Sequence, residues 1–272
     1  MVNNPDVITR VAPAPTGYLH LGHVANALYV WRDARARNGR VLLRIEDHDR
    51  ERCRPAFEDA LLEDLAWLGF EADEPAVRQS DRGALYANVA AQLAQQGLLY
   101  GCTCTRRKVH EAWVQGSAEV RYVGACRNAS HALSDGVGWR VRMPDDEVRF
   151  EDRWCGPQVQ VPAQQCGDLL IRDRLGNWTY QFVATVDDHL QGITDVIRGR
   201  DLLDSTGRQI LLGRLIGRPV PATFAHHALI MKSPTQKLSK SDRDTGIRDL
   251  RAAGWSRDQV LAEAGTLCGF SL

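Results

Sequence analysis

Two histidines near the start of the chain follow a turn rich in proline and glycine. The turn, residues 12–17, joins an apolar strand pattern at 7–11 to a helical pattern that begins beyond His20. Such a junction directs backbone N–H groups and the positive end of the helix dipole toward a bound anion, so it suits a phosphate group. His20 and His23 are three residues apart and face the same way on a helical turn. Their imidazoles can donate hydrogen bonds to a phosphoryl oxygen on which negative charge develops.

Gly22 lies between these histidines and lets a flat ring approach the backbone, because it has no side chain. An isolated H-x-G-H could equally be two ordinary histidines beside a capped helix. The Pro-x-Pro-Thr-Gly sequence before it favours the phosphate site.

A second pattern suited to phosphate is Lys237-Leu-Ser-Lys-Ser241, in a loop that begins at Ser233. Two ammonium groups and two hydroxyls can contact the phosphates of ATP throughout the reaction, from bound ATP to the pyrophosphate product. Only four of the 34 basic residues are lysine, and three of them lie between 232 and 240, which indicates a requirement for a compact ammonium group there. A solvated basic loop would explain the pentapeptide alone, so the ATP site is predicted from both motifs together.

Three of the seven cysteines form a third pattern, Cys102, Cys104 and Cys126, in a segment with weak hydrophobic periodicity. Because the chain lacks a secretory signal, its thiols should be reduced, and this cluster predicts a structural zinc site. Three buried thiols without a metal are the alternative. The spacing leaves three candidates for a fourth ligand, which are His110, Tyr122 and His131. Of these, the chemistry of zinc favours a histidine.

An α/β framework is predicted to position the phosphate motifs. Strands are predicted at 7–11 and 41–45, and apolar residues at helical spacing follow the first. Pro55 should open a helix that ends before Gly69, and Ser80 should cap a helix that stops at Gly97. Alternating strands and helices are typical of a parallel sheet with crossover helices.

The pattern changes between 100 and 165, where short alternating runs predict a small β-rich insertion. It resumes with an apolar run at 169–171 and a helix at about 205–216. We therefore predict a doubly wound, Rossmann-type α/β domain in four parts. Residues 1–100 form its first half, 101–165 an inserted zinc-bearing domain, 166–241 its second half with the KLSKS loop, and 242–272 a short helical extension.

Composition limits the functional classes. Basic and acidic residues are equal at 34 each, so a nucleic-acid surface must be a local patch, for which Arg106, Arg107 and Lys108 are candidates. No run approaches the roughly 20 apolar residues that span a membrane. The polar start does not resemble a signal peptide, so we expect a cytoplasmic protein, and we expect a monomer.

Together these motifs resemble the two signatures of class I aminoacyl-tRNA synthetases, HIGH (here HLGH) and KMSKS (here KLSKS). The lead-in RVAPAPTGYLHLGH and the sequence Glu46-Asp-His-Asp resemble the glutamyl branch, and the likeness extends over nearly the whole chain. With few residues after Ser241, the chain is similar to the short paralogues, the glutamyl-queuosine tRNA(Asp) synthetases. The resemblance implies ATP-dependent activation of L-glutamate to glutamyl-adenylate and transfer of the glutamyl group to queuosine in the tRNA(Asp) anticodon. It also implies that the insertion at 101–165 is an acceptor-binding domain and that 242–272 contains no anticodon-binding domain.

Three alternatives remain. The chain could be a truncated glutamyl-tRNA synthetase that charges a 3′ end, or an acyl-adenylate-forming ligase with a small-molecule acceptor. It could also be a non-catalytic module that binds zinc and RNA, although such a module would not need two phosphate motifs.

The resemblance also implies a glutamate pocket. Arg10 would face a substrate carboxylate, Glu46 would accept hydrogen bonds from the substrate ammonium, and Tyr180 and Arg198 would complete the set. Two arginines and one acid suit an amino acid with two carboxylates and one ammonium, although each alone could be a surface ion pair. The residues expected to contact glutamate are Arg10, Val11, Ala12, Pro13, Ala14, Glu46, Tyr180 and Arg198.

The same resemblance assigns catalysis to His20, His23 and Lys240, which would position the reactants and stabilise charge. Mg²⁺ would accompany ATP, although the sequence identifies no protein ligand for it. The residues expected to contact ATP are Pro13, Thr16, Gly17, His20, Gly22, His23, Lys237, Ser239, Lys240 and Ser241.

Two further features follow from the family pattern. Ala14 replaces a serine whose hydroxyl would contact the substrate. The loss of about 0.5–1.5 kcal/mol predicts weaker binding or a compensating water, and not lost activity. The family places a tyrosine four residues before the last cysteine, which matches Tyr122. The implied ligands of one zinc ion per chain are thus Cys102, Cys104, Tyr122 and Cys126.

Overall fold

The chain divides into two compact units in a computed structural model that describes residues 7–112, 119–233, 236–237 and 246–269. Unit 1 comprises Met1–Asp81, Ile193–Leu203 and Thr223–Leu272, and unit 2 comprises Arg82–Gly192 and Asp204–Ala222. Each unit is therefore assembled from segments that are far apart in the sequence.

Short strands and helices alternate along the chain. The strands are β1 (Ile8–Val11), β2 (Arg40–Ile45), β3 (Val77–Arg78), β4 (Leu99–Cys102), β5 (Gly138–Val141), β6 (Val148–Asp152), β7 (Gly156–Gln160), β8 (Leu169–Arg172), β9 (Asp195–Gly199), β10 (Thr223–His227), β11 (Met231–Ser233) and β12 (Gln236–Lys237). The α-helices are α1 (Leu21–Ala36), α2 (Pro55–Leu68), α3 (Gly83–Gln95), α4 (Arg106–Glu111), α5 (Pro162–Gln165), α6 (Tyr180–Leu190), α7 (Thr206–Leu215), α8 (Ile247–Ala252) and α9 (Arg257–Leu267).

Parallel strand pairs form the centre of unit 1. β2 pairs in parallel with both β1 and β3, and β9 pairs in parallel with β10. The two groups meet where β1 and β9 begin, because Thr194 N donates to the Ile8 carbonyl at 2.8 Å and Ile8 N donates to Thr194 Oγ1 at 2.9 Å. Since β1 and β9 both start at this contact and lie side by side, their carboxyl ends share one edge.

Helices cover this sheet with apolar faces. On α2, Leu61, Leu65 and Leu68 are buried in one core with residues of α1, β1, β2, α8 and α9. The C-terminal helices are also tied by polar contacts, since Arg251 Nη1 lies 2.8 Å from Asp64 Oδ1. Residues 246–269 thus belong to the packed body of unit 1.

Unit 2 is mainly antiparallel. β5 pairs with β4 and with β8, and β6 and β7 form a hairpin. Its helices are joined by a buried polar contact in which Asp187 of α6 accepts from Tyr86 Oη at 2.8 Å and from Arg82 Nε at 2.7 Å. The predicted change to β-rich structure after residue 100 is confirmed.

Most of the predicted elements are confirmed, and one predicted cap is wrong. Pro55 opens α2, and Gly69 follows it with φ of 74°, in the left-handed region that favours glycine. Ser80 does not cap α3, which starts at Gly83, because its N–H and hydroxyl bond to Asp47. Along the described ranges, no helix has the length and apolar character needed to span a membrane.

Candidate active site

The turn between β1 and α1 is fixed by backbone hydrogen bonds within unit 1. Glu46 N donates to the Pro13 carbonyl at 3.0 Å, and Arg54 N donates to the Pro15 carbonyl at 3.1 Å. Thr16 N closes the turn onto the Ala14 carbonyl at 2.8 Å. The turn therefore holds its shape through contacts with the end of β2 and the start of α2.

The two histidines of the H-x-G-H motif form the cap of α1. His20 is the N-cap residue, and its Nδ1 accepts from Gly22 N at 3.1 Å, while His23 Nδ1 accepts from His20 N at 3.1 Å. The ring centroids lie 3.9 Å apart. Because Nδ1 is the acceptor in both rings, each neutral ring carries its proton on Nε2. The cap thereby makes Nε2 of each ring a hydrogen-bond donor at the positive end of the helix.

Three charged side chains lie at the carboxyl ends of parallel strands in unit 1. Arg10 is the penultimate residue of β1, Glu46 follows the last residue of β2, and Arg198 is the penultimate residue of β9. All three are at least nine-tenths buried. Ligands of open α/β sheets bind at the carboxyl ends of the strands. The arrangement of the strands therefore brings these three residues, which are far apart in the sequence, to one region of unit 1.

Glu46 has a charged neighbour on its own strand. Arg44, two residues earlier and therefore on the same face, is fully buried, and its Nη2 lies 3.5 Å from Glu46 Oε1. The next residue, Asp47, accepts from Ser80 N at 2.8 Å and from Ser80 Oγ at 2.5 Å. The Glu46 carboxylate is thus positioned by an ion pair and by a fixed backbone after it.

Arg198 contacts two side chains of the neighbouring strand. Its Nε donates to His226 Nε2 at 2.9 Å, and its guanidinium carbon lies 5.5 Å from the centre of the Phe224 ring. His226 is the register partner of Arg198 in the β9–β10 pair. Strand pairing therefore determines where the guanidinium lies.

The three clustered cysteines come together in unit 2. The Sγ atoms of Cys102, Cys104 and Cys126 all lie within 4.8 Å of one another, and those of Cys104 and Cys126 are 3.6 Å apart. Tyr122 Oη lies 3.4 Å from Cys102 Sγ and accepts from Cys126 N at 2.8 Å. At a Zn–S distance of about 2.3 Å, tetrahedral sulfur ligands are separated by about 3.8 Å, so the thiols fit one ion. Among the described residues, no histidine joins this potential metal-binding group.

The thiols of this cluster have unequal proton affinities. Burial opposes ionisation of Cys126, but hydrogen bonds from Thr103, Cys104 and Tyr122 outweigh it and lower the pKa of Cys126 to about 6. Burial and the hydrogen bond to Cys126 raise the pKa of Cys104 to about 11. The cluster therefore favours one thiolate, and a bound cation would favour ionisation of the others.

The family model for tRNA synthetases class I (E and Q), catalytic domain, matches residues 6–271. The chain belongs to this family. The match covers both motifs, the three charged strand-end residues and the cysteine cluster.

The alignments of this class I synthetase with its relatives cover most of its length. It is 42% identical to the glutamyl-Q tRNA(Asp) synthetase of Cupriavidus metallidurans, over 90% of this chain and 82% of the relative. It is 46% identical to the enzyme of the same name from Ectopseudomonas mendocina, over 88% and 79%. The crystal structure of a glutamate tRNA ligase from Elizabethkingia meningosepticum in complex with its amino acid has 29% identity and a TM-score of 0.74. The alignment covers 92% of this synthetase and 53% of that structure, so the chain spans about half of the ligase's length.

The predicted site residues of this synthetase divide between its two units. The turn, the histidines, Glu46 and Arg198 are in unit 1, whereas Tyr180 is the first residue of α6 in unit 2. Lys237 ends β12, and residues 239–241 of the KLSKS motif lie outside the described residues. Gly246, the first described residue after the motif, forms a β-bridge with His20.

Sequence reasoning missed two residues that contact the predicted site. His226 bonds to Arg198, and Arg44 pairs with Glu46. The available signal for Arg44 was an arginine inside the otherwise apolar run at 41–45. His226 had no comparable signal, because its contact depends on the register of β9 and β10.

Proposed function

We propose that the chain activates L-glutamate with ATP and transfers the glutamyl group to the queuosine base of tRNA(Asp). The observation that carries the proposal is the set of Arg10, Glu46 and Arg198 at the carboxyl ends of the neighbouring strands β1, β2 and β9, together with the histidine-capped start of α1. Relatives named glutamyl-Q tRNA(Asp) synthetase, 42% and 46% identical over about nine-tenths of the chain, support the same assignment.

Glutamate recognition follows from charge. The side-chain and α-carboxylates match two guanidinium groups, and the ammonium matches the Glu46 carboxylate. Glutamine has one carboxylate fewer, and removing one partner of a buried ion pair costs about 3–5 kcal/mol. The site should therefore select glutamate over glutamine by at least about a hundredfold.

The first step needs no protein base. An oxygen of the substrate α-carboxylate attacks the α-phosphorus of ATP, the bond to the β-phosphate oxygen breaks, and pyrophosphate leaves. His20 and His23 would donate from Nε2 to the phosphate oxygens, and Lys240 would neutralise the departing pyrophosphate. The β-bridge between Gly246 and His20 supports this arrangement, because Gly246 follows the motif by only five residues and lies beside the capped helix. Mg²⁺ would accompany ATP.

In the second step, a hydroxyl oxygen of the queuosine diol attacks the carbonyl carbon of the glutamyl-adenylate. An ester forms, AMP leaves, and the hydroxyl proton is released. RNA loops can present an unstacked base to a pocket while arginine and lysine side chains contact nearby phosphates. Arg106, Arg107 and Lys108, all exposed on α4, are the residues we assign to those contacts.

We assign a structural zinc ion to the inserted segment, residues 101–165. Cys102, Cys104, Cys126 and Tyr122 would hold it. The ion would link β4, the start of α4 and the loop at 122–126, and would thereby fix the basic helix that begins two residues after Cys104.

Amino-acid-dependent exchange of labelled pyrophosphate into ATP tests the first step. We expect exchange with glutamate, at least about a hundredfold lower efficiency with glutamine, and no comparable exchange with aspartate. The amount of ATP formed without an amino acid is the control. Comparable exchange with glutamine would overturn the charge assignment.

Transfer of labelled glutamate to tRNA tests the acceptor. We expect labelling of queuosine-containing tRNA(Asp), including a form that lacks its 3′-terminal adenosine, and no labelling of an unmodified transcript. Labelling that requires the terminal adenosine and not queuosine would identify a 3′-charging enzyme instead. Labelling of neither RNA would favour a small-molecule acceptor.

A further inference from the structure

The contact between Arg198 and His226 is built into the parallel pairing of β9 and β10. Because register partners on parallel strands project to the same face, Arg198, His226 and Phe224 share one side of the pair. Arg198 is 5% exposed and His226 1% exposed. The rings of Phe224 and His226 are nearly parallel, at 11°, with centroids 6.1 Å apart. Both rings are therefore held in place.

The direction of the hydrogen bond specifies the chemical state of His226. Arginine can only donate, so His226 Nε2 must be the acceptor. The ring is then neutral and carries its proton on Nδ1. A neutral acceptor orients the guanidinium without adding a negative charge that would compete with a bound carboxylate.

The hydrogen bond to His226 also fixes the orientation of the planar guanidinium group of Arg198. Nε has a single proton, and the bond to His226 uses it, while Nη2 donates to the Leu202 carbonyl at 3.4 Å. End-on binding of a carboxylate uses one proton from each terminal nitrogen. Anchoring at Nε therefore sets the direction in which the terminal nitrogens face, at low cost in side-chain entropy when a ligand binds.

We propose that His226 is a positioning residue for glutamate, which aligns Arg198 for a substrate carboxylate through a neutral imidazole acceptor. The inference rests on the proposed function, because it assumes that Arg198 binds glutamate. Phe224 supports the same alignment through the face of its ring.

Two variants separate hydrogen bonding from shape. His226→Phe keeps a ring of similar size and removes the acceptor, whereas His226→Gln loses the ring and restores an acceptor. We expect His226→Phe to raise the KM for glutamate in pyrophosphate exchange by about ten- to a hundredfold, the range for loss of a hydrogen bond to a charged group. The KM for ATP should stay within about twofold, and His226→Gln should recover most of the loss.

His227→Phe is the matched control, because His227 is equally buried on the same strand but stacks on Tyr29 of α1, with centroids 4.5 Å apart. This control should lack the selective increase in glutamate KM. An unchanged glutamate KM in His226→Phe, equal defects in both His226 variants, or an equal increase in the KM for ATP would overturn the inference. Absence of glutamate-dependent exchange in the unaltered chain would instead refute the proposed function, and this role of His226 with it.

Nitrogen NMR of the unaltered protein provides a measurement that does not depend on a variant's folding. Histidine labelled at both ring nitrogens reports which nitrogen carries the proton. We expect His226 with the proton on Nδ1, and a shift of its Nε2 signal when glutamate is added. A proton on Nε2, or a signal that glutamate does not move, would contradict the positioning role.

Discussion

His20 combines a structural contact with a proposed catalytic contact, and the two can be separated by substitution. Its Nδ1 caps α1 through Gly22 N, and its Nε2 is the proposed donor to phosphate. His20→Ala removes both. His20→Asn places an amide oxygen where Nδ1 lies, and asparagine is among the strongest N-cap residues. Because its side chain is shorter, the asparagine amide cannot reach the position of Nε2.

The structure gives a different magnitude for each contact. Loss of an N-cap side chain costs about 1 kcal/mol, which corresponds to a decrease in Tm of roughly 2–4 °C in a protein of this size. Removing a preorganised donor to a charge that develops in the transition state lowers kcat by about 10²–10³-fold. His20→Ala should therefore show both defects, and His20→Asn should keep the Tm while losing the same activity.

Thermal unfolding and pyrophosphate exchange at saturating substrates measure the two effects independently. Wild-type kcat in His20→Asn would refute the phosphate contact. Equal decreases in Tm for both variants would refute the capping role, because only one of them lacks a side-chain acceptor.

Three other predictions follow. Lys240→Ala should lower kcat for exchange with little change in the KM for glutamate, because its charge acts mainly as pyrophosphate departs, and a raised KM with normal kcat would contradict that role. Purified protein should contain about one zinc ion per chain by elemental analysis, and Cys104→Ser should lose it while Cys155→Ser keeps it; metal-free protein isolated without chelators would oppose the site. Arg251→Met should lower the free energy of unfolding by about 2 kcal/mol in denaturant titration, because Asp64 stays buried without its 2.8 Å partner. Adding Asp64→Asn should restore part of that loss, and no restoration would show that the ion pair is not the cause.

Features that depend on local chemistry were predictable from the sequence. Pro55 and Gly69 delimit α2 because one presets helical φ and the other permits a left-handed residue. The clustering of Cys102, Cys104 and Cys126 was also predicted from the sequence, because the three thiols lie close together in a segment with weak hydrophobic periodicity.

Features that depend on distant partners were not predictable. Ser80 has the composition of a helix cap, but Asp47 takes its hydroxyl and N–H across the 33 residues that separate them. The contact of Arg198 with His226 depends on strand register, which single-sequence periodicity does not specify. Prediction from the sequence therefore succeeded for most secondary-structure elements, and failed where tertiary contacts determine which of several local options a residue adopts.

The contact between Ile8 and Thr194 has a consequence for the order of events during synthesis. β1 cannot make its contact with Thr194, at the start of β9, until 186 further residues have been translated. At elongation rates of about 5–20 residues per second, that wait lasts roughly 10–40 s, far longer than helix or hairpin formation. During this interval the apolar edge of β1 and β2 is exposed on the nascent chain. The edge of unit 1 formed by the carboxyl ends of β1 and β9 is consequently among the last parts of the protein to be completed, and chaperone demand should be greatest for this N-terminal segment.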